Sequence, residues 1–584
     1  MTFPPFSAVS RAPLPARVAG RLVRLPWVDA AVAAAVLVGM YLLLRAGGGT
    51  PVSFDPSHVV AVDTDPAELP YYAARSLARM FAALAAAVTF AVGYAYAAAR
   101  SRRLERVLIP ALDILQSVPV LGFLTVAVAG FVSLFPGSPL GLECASVFAI
   151  FTSQAWNMAF GFYHSLITLP RELDEVSRSL RFTRWMRFWR IELPAGAIGL
   201  VWNGMMSFGG GWFFLVASEA ISVAGRTYAL PGVGSFAGTA IADGDLGKVG
   251  WAVATMAVMV IGVNFVFWRP LTAWAERFKN EQSEATDVHR SLVLDFLRRS
   301  PWPRRWGRLL RPVGELLGRA GRLLGTDDPP LAVGRARRRT GDLVFTAVAG
   351  GLVAWGLADL LGYLHHRTGL GVFAEPLLLG LATLARVVLL VAVATVVWVP
   401  IGVRIGFSPR LARIAQPLVQ LLASFPANFL FPLATWAFLR TGLSLNVGGV
   451  LLMALGAQWY ILFNTIAGAA AIPADLREAM DDLGVRGWQR WRRLILPGIF
   501  PAYVTGAVTA SGGAWNASIV SEVVTFGSTS LSATGLGAYI SRATAEGNYP
   551  HLLAGVAVMA GYVLALNRLL WRRLYRLAET RYAL

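Results

Sequence analysis

The sequence predicts an all-α polytopic membrane protein with two parallel repeats of about six transmembrane helices each. Its 584 residues are 56% hydrophobic and only 15% charged. Several apolar runs approach or exceed the roughly 20 residues that a helix needs to cross a hydrocarbon core of about 30 Å. A polar, basic segment at 172–194 recurs at 475–497, an offset of 303 residues. An internal repeat of this kind indicates two equivalent halves.

The apolar runs define the predicted spans and their orientation. We place twelve spans near 27–45, 76–99, 107–134, 143–168, 195–222, 250–270, 342–363, 377–403, 412–438, 446–471, 498–522 and 550–571. With the arginine-rich N-terminus inside, alternate loops carry the basic groups, as the positive-inside rule requires. Both repeated segments and both termini are then cytoplasmic, in a bacterial inner membrane. The net charge of +19 is explained in this way, so we predict no nucleic-acid partner.

The spans divide the chain into five predicted regions. These are a cytoplasmic arm, first span and outer loop at 1–70, a first membrane domain at 71–275, a basic cytoplasmic linker at 276–341, an extra span at 342–376 and a second membrane domain at 377–584. The repeated segments lie in what we call the first loop (170–194) and the second loop (473–497). An even number of spans separates equivalent points. The repeats therefore share one orientation and are related by a pseudo-two-fold axis along the membrane normal.

The repeat continues into the span that follows each loop. Gly209-Gly210-Gly211-Trp212 matches Gly512-Gly513-Ala514-Trp515, and Ser218-Glu219 matches Ser521-Glu522. Each tryptophan shares a helix face with the glutamate seven residues later, and an ionisable residue in a span usually faces the bundle interior. We predict a gate or pathway role near the outer surface; hydrogen bonding to a neighbouring helix or loop is the alternative. The candidate residues are Trp212, Glu219, Trp515, Glu522, Asn203 and Asn516.

The two loops share a short pattern that begins with a glutamate and ends with Leu-Pro. The second loop has Glu478-Ala479-Met480, then Gly484, then Leu494-Ile495-Leu496-Pro497. The first has Glu175-Val176-Ser177 and Ile191-Glu192-Leu193-Pro194. The pattern resembles the EAA motif of ABC importer permeases, with Arg181 where the family has glycine. Glycine there permits a turn that arginine adopts only at a steric cost. The resemblance assigns ATPase coupling to Glu175, Arg181, Leu193, Pro194, Glu478, Ala479, Gly484, Leu496 and Pro497.

The resemblance covers the chain from about Tyr71 to Arg576. The runs 156–166 and 458–469 look like those of duplicated anion permeases, which are similar to the permeases for nitrate, sulfonates, taurine and bicarbonate. It implies a type I importer permease fold with both membrane halves in one polypeptide, and import of a small anion, for which carboxylates are also candidates. In that family each loop forms a coupling helix that binds one of two separate ATPase subunits. Those subunits bind ATP and Mg²⁺, and an extracytoplasmic binding protein delivers the substrate.

The residue inventory favours a translocation subunit over an enzyme. The sequence has no phosphate-binding G-x-x-x-x-G-K-[ST] loop. Its six histidines and single cysteine form no metal-ligand pattern. We therefore predict no catalytic residue, metal or cofactor in this chain. An ion-gradient-driven secondary transporter with two six-helix halves is the alternative, but that class uses buried acid–base pairs, and arginine and lysine are scarce in the predicted spans.

Overall fold

The computed structural model describes most of both predicted membrane domains. The described residues are Ala34, Val38 and those at 62–117, 120–135, 138–180, 182–223, 226–275, 335–526 and 529–581. The predicted first span and most of the arm at 1–70, nearly all of the linker at 276–341, and Arg181 lie outside them. The described part is almost entirely helical, with two short antiparallel hairpins.

The first half is a series of helices interrupted by one hairpin. Its elements are α1 (Leu69–Arg100), α2 (Arg102–Ser117), α3 (Val120–Leu134), α4 (Leu140–Ile167), α5 (Arg171–Ser179), α6 (Arg184–Arg187), α7 (Leu193–Glu219), β1 (Ala220–Val223), β2 (Arg226–Ala229), α8 (Val233–Ala242), α9 (Leu246–Val263) and α10 (Arg269–Ala275). A long helix, α11 (Arg335–Arg367), precedes the second half and contains the predicted span at 342–363.

The second half repeats this order. Its elements are α12 (Ala374–Gly406), α13 (Pro409–Ser424), α14 (Phe431–Thr441), α15 (Leu445–Ala470), α16 (Ala474–Asp482), α17 (Gly487–Arg490), α18 (Leu496–Ser521), β3 (Val523–Phe526), β4 (Thr529–Ser532), α19 (Leu536–Glu546), α20 (Tyr549–Leu566) and α21 (Arg572–Arg581). Equivalent helices also begin alike. The Asp245 carboxylate accepts from backbone amides at the start of α9, and Asn548, 303 residues later, does so for α20. Such caps satisfy amides that lack a partner within the helix.

Among the described residues, seven helices are long and apolar enough to cross a membrane, and each overlaps a predicted span. The predicted spans at 107–134 and 412–438 are each formed by two helices rather than by one continuous helix. α13 and α14 are bent by 77°. Phe425, with a ψ of 128°, is extended because it precedes Pro426, and the residue before a proline is excluded from helical geometry. The matched sequence Ser117-Val118-Pro119 begins at the last residue of α2, and its residues 118 and 119 lie outside the described residues.

Three long helices form the centre of each half, and the broken helices join the halves together. α1, α4 and α7 pack on one another, as do α12, α15 and α18. α13 packs on α7 and α9 of the first half, while α2 and α3 pack on α18, α19 and α20 of the second half. Leu124 of α3 accordingly lies in the same apolar cluster as Trp515, and Leu421 of α13 lies in that of Trp212.

α7 and α18 define two opposite ends of the bundle. They contain 27 and 26 residues, which corresponds to about 40 Å of helix. The first and second loops precede their N-termini, so we call this the loop end. Glu219 ends α7 and Glu522 follows α18, so we call the other side the glutamate end. The two hairpins lie there and close on these residues: Leu230 N donates to the Glu219 carbonyl oxygen at 2.9 Å, and Ala533 N to that of Glu522 at 2.8 Å.

Candidate functional site

The first and second loops fold into the same succession of short elements. Each begins with a nine-residue helix, α5 or α16, followed by a one-turn helix, α6 or α17. A π-helical turn, Phe188–Glu192 or Trp491–Ile495, then leads into α7 or α18. Every boundary in the second loop lies 303 residues after its counterpart in the first. The loops are therefore repeats in structure as well as in sequence.

Both loops present apolar side chains to their surroundings. The equivalent residues Leu180 and Leu483 end the nine-residue helices and are 60% and 75% exposed. Val176 in the first loop and Trp488 in the second are also exposed. Contiguous exposed apolar surface commonly marks an interaction site. The exposed residues also include the predicted coupling residues Glu175, Glu478, Ala479 and Gly484.

The first loop is tied to the end of α1 by an ionic contact. The buried carboxylate of Glu192 accepts from Arg100 Nη2 at 2.6 Å and from Arg187 Nε at 3.0 Å. Arg100 is the last residue of α1, and Glu192 is 4% exposed. Leu193 and Pro194 follow directly and open α7, where proline is tolerated because first-turn amides have no helical acceptor. The first loop is therefore anchored to both α1 and α7.

The second loop is held by apolar contacts instead. Ile495 stands where the first loop has Glu192 and is buried, as is Leu494. Met480 of α16 packs against this cluster together with Phe407, the residue after α12. The guanidinium of Arg477 lies 5.5 Å from the centre of the Phe407 ring. Leu496 and Pro497 then open α18. The second loop is thus coupled to α12 and α18, the counterparts of α1 and α7.

Gly484 has the backbone conformation that its sequence context predicts. Its φ is +64°, in the left-handed region that favours glycine. The turn lets Val485 N donate to the Met480 carbonyl oxygen at 2.9 Å, which closes the C-terminus of α16. In the first loop the equivalent bond runs from Phe182 N to Ser177 O, also at 2.9 Å. Arg181, the counterpart of Gly484, lies outside the described residues.

At the glutamate end, Glu219 is the centre of a buried hydrogen-bond cluster within the first half. Its side chain is fully buried, and Oε1 accepts from Arg79 Nη1 at 2.7 Å and from Ser76 Oγ at 2.6 Å. Oε2 accepts from Gly234 N, at the start of α8, at 2.7 Å. A Cβ atom at Gly232 would overlap the carboxylate. This cluster joins α1, α7 and α8, and we call it the first clamp.

The second half contains an equivalent cluster, the second clamp. Glu522 is fully buried, and its Oε1 accepts from Arg386 Nη1 and from Thr383 Oγ1, both at 2.7 Å. Its Oε2 accepts from Ala538 N of α19 at 3.1 Å. Gly535, which matches Gly232, is likewise too close to the carboxylate to carry a Cβ atom. Each glutamate makes these contacts within its own half, so they do not bring Glu219 and Glu522 together.

The clamps differ at one position. In the first, Arg79 also binds Glu143 through Nε and Nη2, at 2.6 and 2.7 Å. In the second, the counterpart of Glu143 is Asn446, which accepts from Arg386 Nη2 at 2.8 Å through Oδ1. A carboxylate in one half is thus replaced by a neutral amide in the other. Arg75 gives Glu143 a second positive partner at 2.6 Å, consistent with the extra negative charge.

Sequence analysis missed the arginines of the two clamps, which lie inside the predicted spans at 76–99 and 377–403. The sequence does contain a signal for these arginines, namely a repeat with an offset of 307 residues instead of 303. Ser76-Leu77-Ala78-Arg79 matches Thr383-Leu384-Ala385-Arg386 at 307 residues, the offset that also relates Pro110 to Pro417. Both arginines lie about three helical turns from the start of a long apolar helix, where a charge needs a partner. The partner is the glutamate already singled out in each half.

The remaining pathway candidates have different surroundings in the two halves. Trp212 is buried and borders a recess between the halves that Gln420 and Ser424 of α13 also line. Trp515 is stacked on Tyr562 of the second half, with ring centroids 6.0 Å apart. Asn203 and Asn516 are half-buried. Asn203 Nδ2 donates to the Gly199 carbonyl oxygen at 2.8 Å, and Asn516 Nδ2 to that of Gly512 at 3.2 Å. A pathway role for these residues stays a prediction.

A model of one protein family matches the chain twice, at residues 87–274 and 398–583. Its description is the inner membrane component of binding-protein-dependent transport systems. The two ranges together cover more than half of the chain and contain both loops and both clamp glutamates. The chain belongs to this family.

Individual members of the family with assigned substrates are also similar to this transport component. It is 26% identical over 188 residues to the bicarbonate transport system permease of Synechococcus elongatus, and 25% identical over 188 residues to the nitrate import permease of Leptolyngbya laminosa. It is 28% identical over 196 residues to the taurine transport system permease of Escherichia coli. These matches take up 32%, 32% and 33% of this chain. They span 64% of the length of the bicarbonate and nitrate proteins and 68% of the taurine protein.

The matched ranges contain both loops completely but only part of each clamp. Both family ranges begin after the arginines of the clamps, since Arg79 precedes residue 87 and Arg386 precedes residue 398. The duplication predicted from the sequence is confirmed, because the same family model matches each half once. This transport component is therefore a multi-pass membrane protein that contains both halves in a single chain.

Proposed function

We propose that this chain is the transmembrane permease subunit of an ATP-driven ABC importer for a small anion. The first and second loops each bind one ATPase subunit on the cytoplasmic side. The ATPase subunits bind ATP and Mg²⁺, whereas this chain forms the translocation pathway and has no catalytic role. An extracytoplasmic binding protein delivers the substrate at the glutamate end. Nitrate, a sulfonate, bicarbonate or a carboxylate is the transported anion.

The pair of matching loops carries this proposal. They lie at one end of the bundle, they have the same elements 303 residues apart, and each has an exposed leucine at the same position. Each is also anchored to the long helices of its half, by Glu192 in the first loop and by Ile495 and Met480 in the second. A short helix held in this way converts movement of a bound subunit into rigid-body movement of a half.

The assignment to anions is supported by the relatives, whose names assign them bicarbonate, nitrate and taurine. The clamps are compatible with it. Glu219 and Glu522 would repel an anion if they faced it with uncompensated charge. Each is buried and paired with an arginine at 2.7 Å, so neither presents such a charge to the pathway.

Transport by the intact complex tests the proposal. The chain is purified with the ATPase that accompanies it, reconstituted in proteoliposomes and supplied with its binding protein. Uptake of labelled nitrate, bicarbonate, taurine and ethanesulfonate is then measured. We expect uptake of at least one of these to require both ATP and the ATPase. Uptake driven by an ion gradient in the absence of the ATPase would overturn the proposal.

Surface labelling tests the orientation, and the chain is well suited to it. Cys144 is the single cysteine, so one substitution, Cys144→Ser, gives a cysteine-free background. Leu483→Cys then reports the loop end, and Leu443→Cys reports the glutamate end, where residue 443 is 36% exposed. We expect a membrane-impermeant maleimide added to intact spheroplasts to label Leu443→Cys and to spare Leu483→Cys. The reverse pattern would place the loops outside the cell and remove them from contact with an ATPase.

A further inference from the structure

The side chain of Tyr460 lies in a groove on the central helix of the second half. Gly506 and Gly513 are seven residues apart on one face of α18. A Cβ atom at Gly506 would lie 2.7 Å from the Tyr460 carbonyl oxygen, so the backbones of α15 and α18 are in close contact there. A Cβ atom at Gly513 would lie 3.5 Å from the Tyr460 ring. The ring of Tyr460 therefore lies against α18 beside Gly513, close to the point where the two helix backbones are in contact.

The hydroxyl group of Tyr460 reaches the other half of the protein. A Cβ atom at Gly210 of α7 would lie 3.6 Å from Tyr460 Oη. The hydroxyl thus stands between α7 and α18, the two central helices that the repeat relates to each other. Among the residues that the structure describes, it has no hydrogen-bond partner. Tyr460 is half-buried, so this donor is available to a solute or water that passes between the halves.

The first half does not reproduce this feature. The counterpart of Tyr460 at an offset of 303 residues is Asn157. Its Oδ1 accepts from Gln116 Nε2 at 3.1 Å, and Asn157 is not among the atoms within 4 Å of a Cβ atom at Gly210. The hydrogen-bond donor between α7 and α18 is therefore the phenol hydroxyl of the second half, and its counterpart Asn157 does not lie at this position.

The helices around this position carry no formal positive charge. α7, α15 and α18 contain no lysine or arginine. A small anion between them can accept hydrogen bonds only from neutral donors. Such donors suit transport, because a site on a pathway must bind its solute weakly enough to release it.

Building on the proposed function, we propose that Tyr460 is a specificity-determining residue of the pathway, whose hydroxyl donates a hydrogen bond to the oxygen atoms of an oxyanion as it crosses between the halves. The substrate class is therefore a small oxyanion such as nitrate, bicarbonate or a sulfonate. A phenylalanine at this position keeps the ring in its groove and removes only the donor.

The test compares Tyr460→Phe with Tyr503→Phe in the reconstituted complex. Tyr503 is on α18, the helix against which Tyr460 packs, and its hydroxyl is 2.9 Å from Thr395 Oγ1 within the second half, so its loss leaves the pathway unchanged. The probes are nitrate, bicarbonate, taurine and ethanesulfonate. We expect Tyr460→Phe to lower the kcat/KM for uptake of the transported anion about tenfold, the factor that corresponds to ~1.4 kcal/mol. ATP hydrolysis stimulated by the loaded binding protein should stay at the wild-type rate, and Tyr503→Phe should transport normally.

Two failures can be distinguished. If the wild-type complex transports one of the four probes and Tyr460→Phe transports it equally well, the hydroxyl has no role in the pathway and only this inference is overturned. If the wild-type complex hydrolyses ATP but transports none of the four, the substrate class is wrong and the proposed function fails for anions as well. Equal losses in both phenylalanine variants would assign the effect to packing of α18 and also overturn the inference.

Discussion

Replacing Glu219 with alanine is expected to destabilise the folded protein by about 3 kcal/mol, because three buried donors lose their acceptor, while Arg79 keeps the carboxylate of Glu143 as a partner. Arg79 is 3% exposed and would lose the carboxylate that Nη1 binds at 2.7 Å. Ser76 and Gly234 would lose an acceptor as well. In a chain of this length, a change of this size lowers the melting temperature by a few degrees. The measurement is the fraction of protein that stays monodisperse after heating in detergent.

Glu546→Ala is the matched control for this prediction. Glu546 is the last residue of α19 and is exposed, so the same change in chemistry removes no buried contact. A melting temperature of Glu219→Ala equal to that of this control would contradict the clamp. The double variant Arg79→Met with Glu219→Leu removes both charges together. Because a buried ion pair can be replaced by apolar side chains at little cost, this variant should melt closer to wild type than Glu219→Ala does.

Changing both exposed leucines of the loops to aspartate is expected to abolish association with the ATPase. Leu180 and Leu483 are 60% and 75% exposed in this chain. An aspartate buried in an apolar interface carries a charge without a partner. Loss of a central interface contact weakens the binding free energy by about 2 kcal/mol or more, which is roughly 30-fold in affinity. Two loops bind more tightly together than either does alone. We therefore expect each single variant to reduce the amount of ATPase that copurifies, and the double variant to retain none.

Leu443→Asp is the corresponding control at the glutamate end. Leu443 is 36% exposed, so the substitution adds the same charge to a leucine that is far from both loops. It should copurify with the wild-type amount of ATPase. The docking role of the loops is refuted if the Leu180→Asp, Leu483→Asp variant binds the ATPase as this control does while it elutes as a folded, monodisperse protein.

The architecture and the loops could be predicted from the sequence because their signals are local. Apolar runs of sufficient length predict membrane helices whatever their neighbours are. The left-handed turn at Gly484 and the proline starts of α7 and α18 are also set by one or two residues. Glu219 and Glu522 were recognised for the same reason, since a carboxylate in an apolar run is conspicuous.

Three features required the tertiary structure. The partners Arg79 and Arg386 lie 140 and 136 residues from their glutamates, and a different offset relates them. The exchange of α2, α3 and α13 between the halves depends on the directions in which these helices leave their neighbours, which the sequence does not give. The role of the glycines on α18 was likewise hidden, because Gly506 and Gly513 act through their distance from Tyr460 on another helix.

By itself, the sequence determined that this chain crosses the membrane many times, that it is built from two like-oriented halves, and which segments form its paired loops. These properties follow from hydropathy and from repetition along the chain. Only the tertiary structure decided that the glutamates bind arginines within their own halves and that one tyrosine reaches across to the opposite half. Hydrogen bonds act over about 3 Å, so which groups form them is known only when helices that are distant in sequence lie side by side.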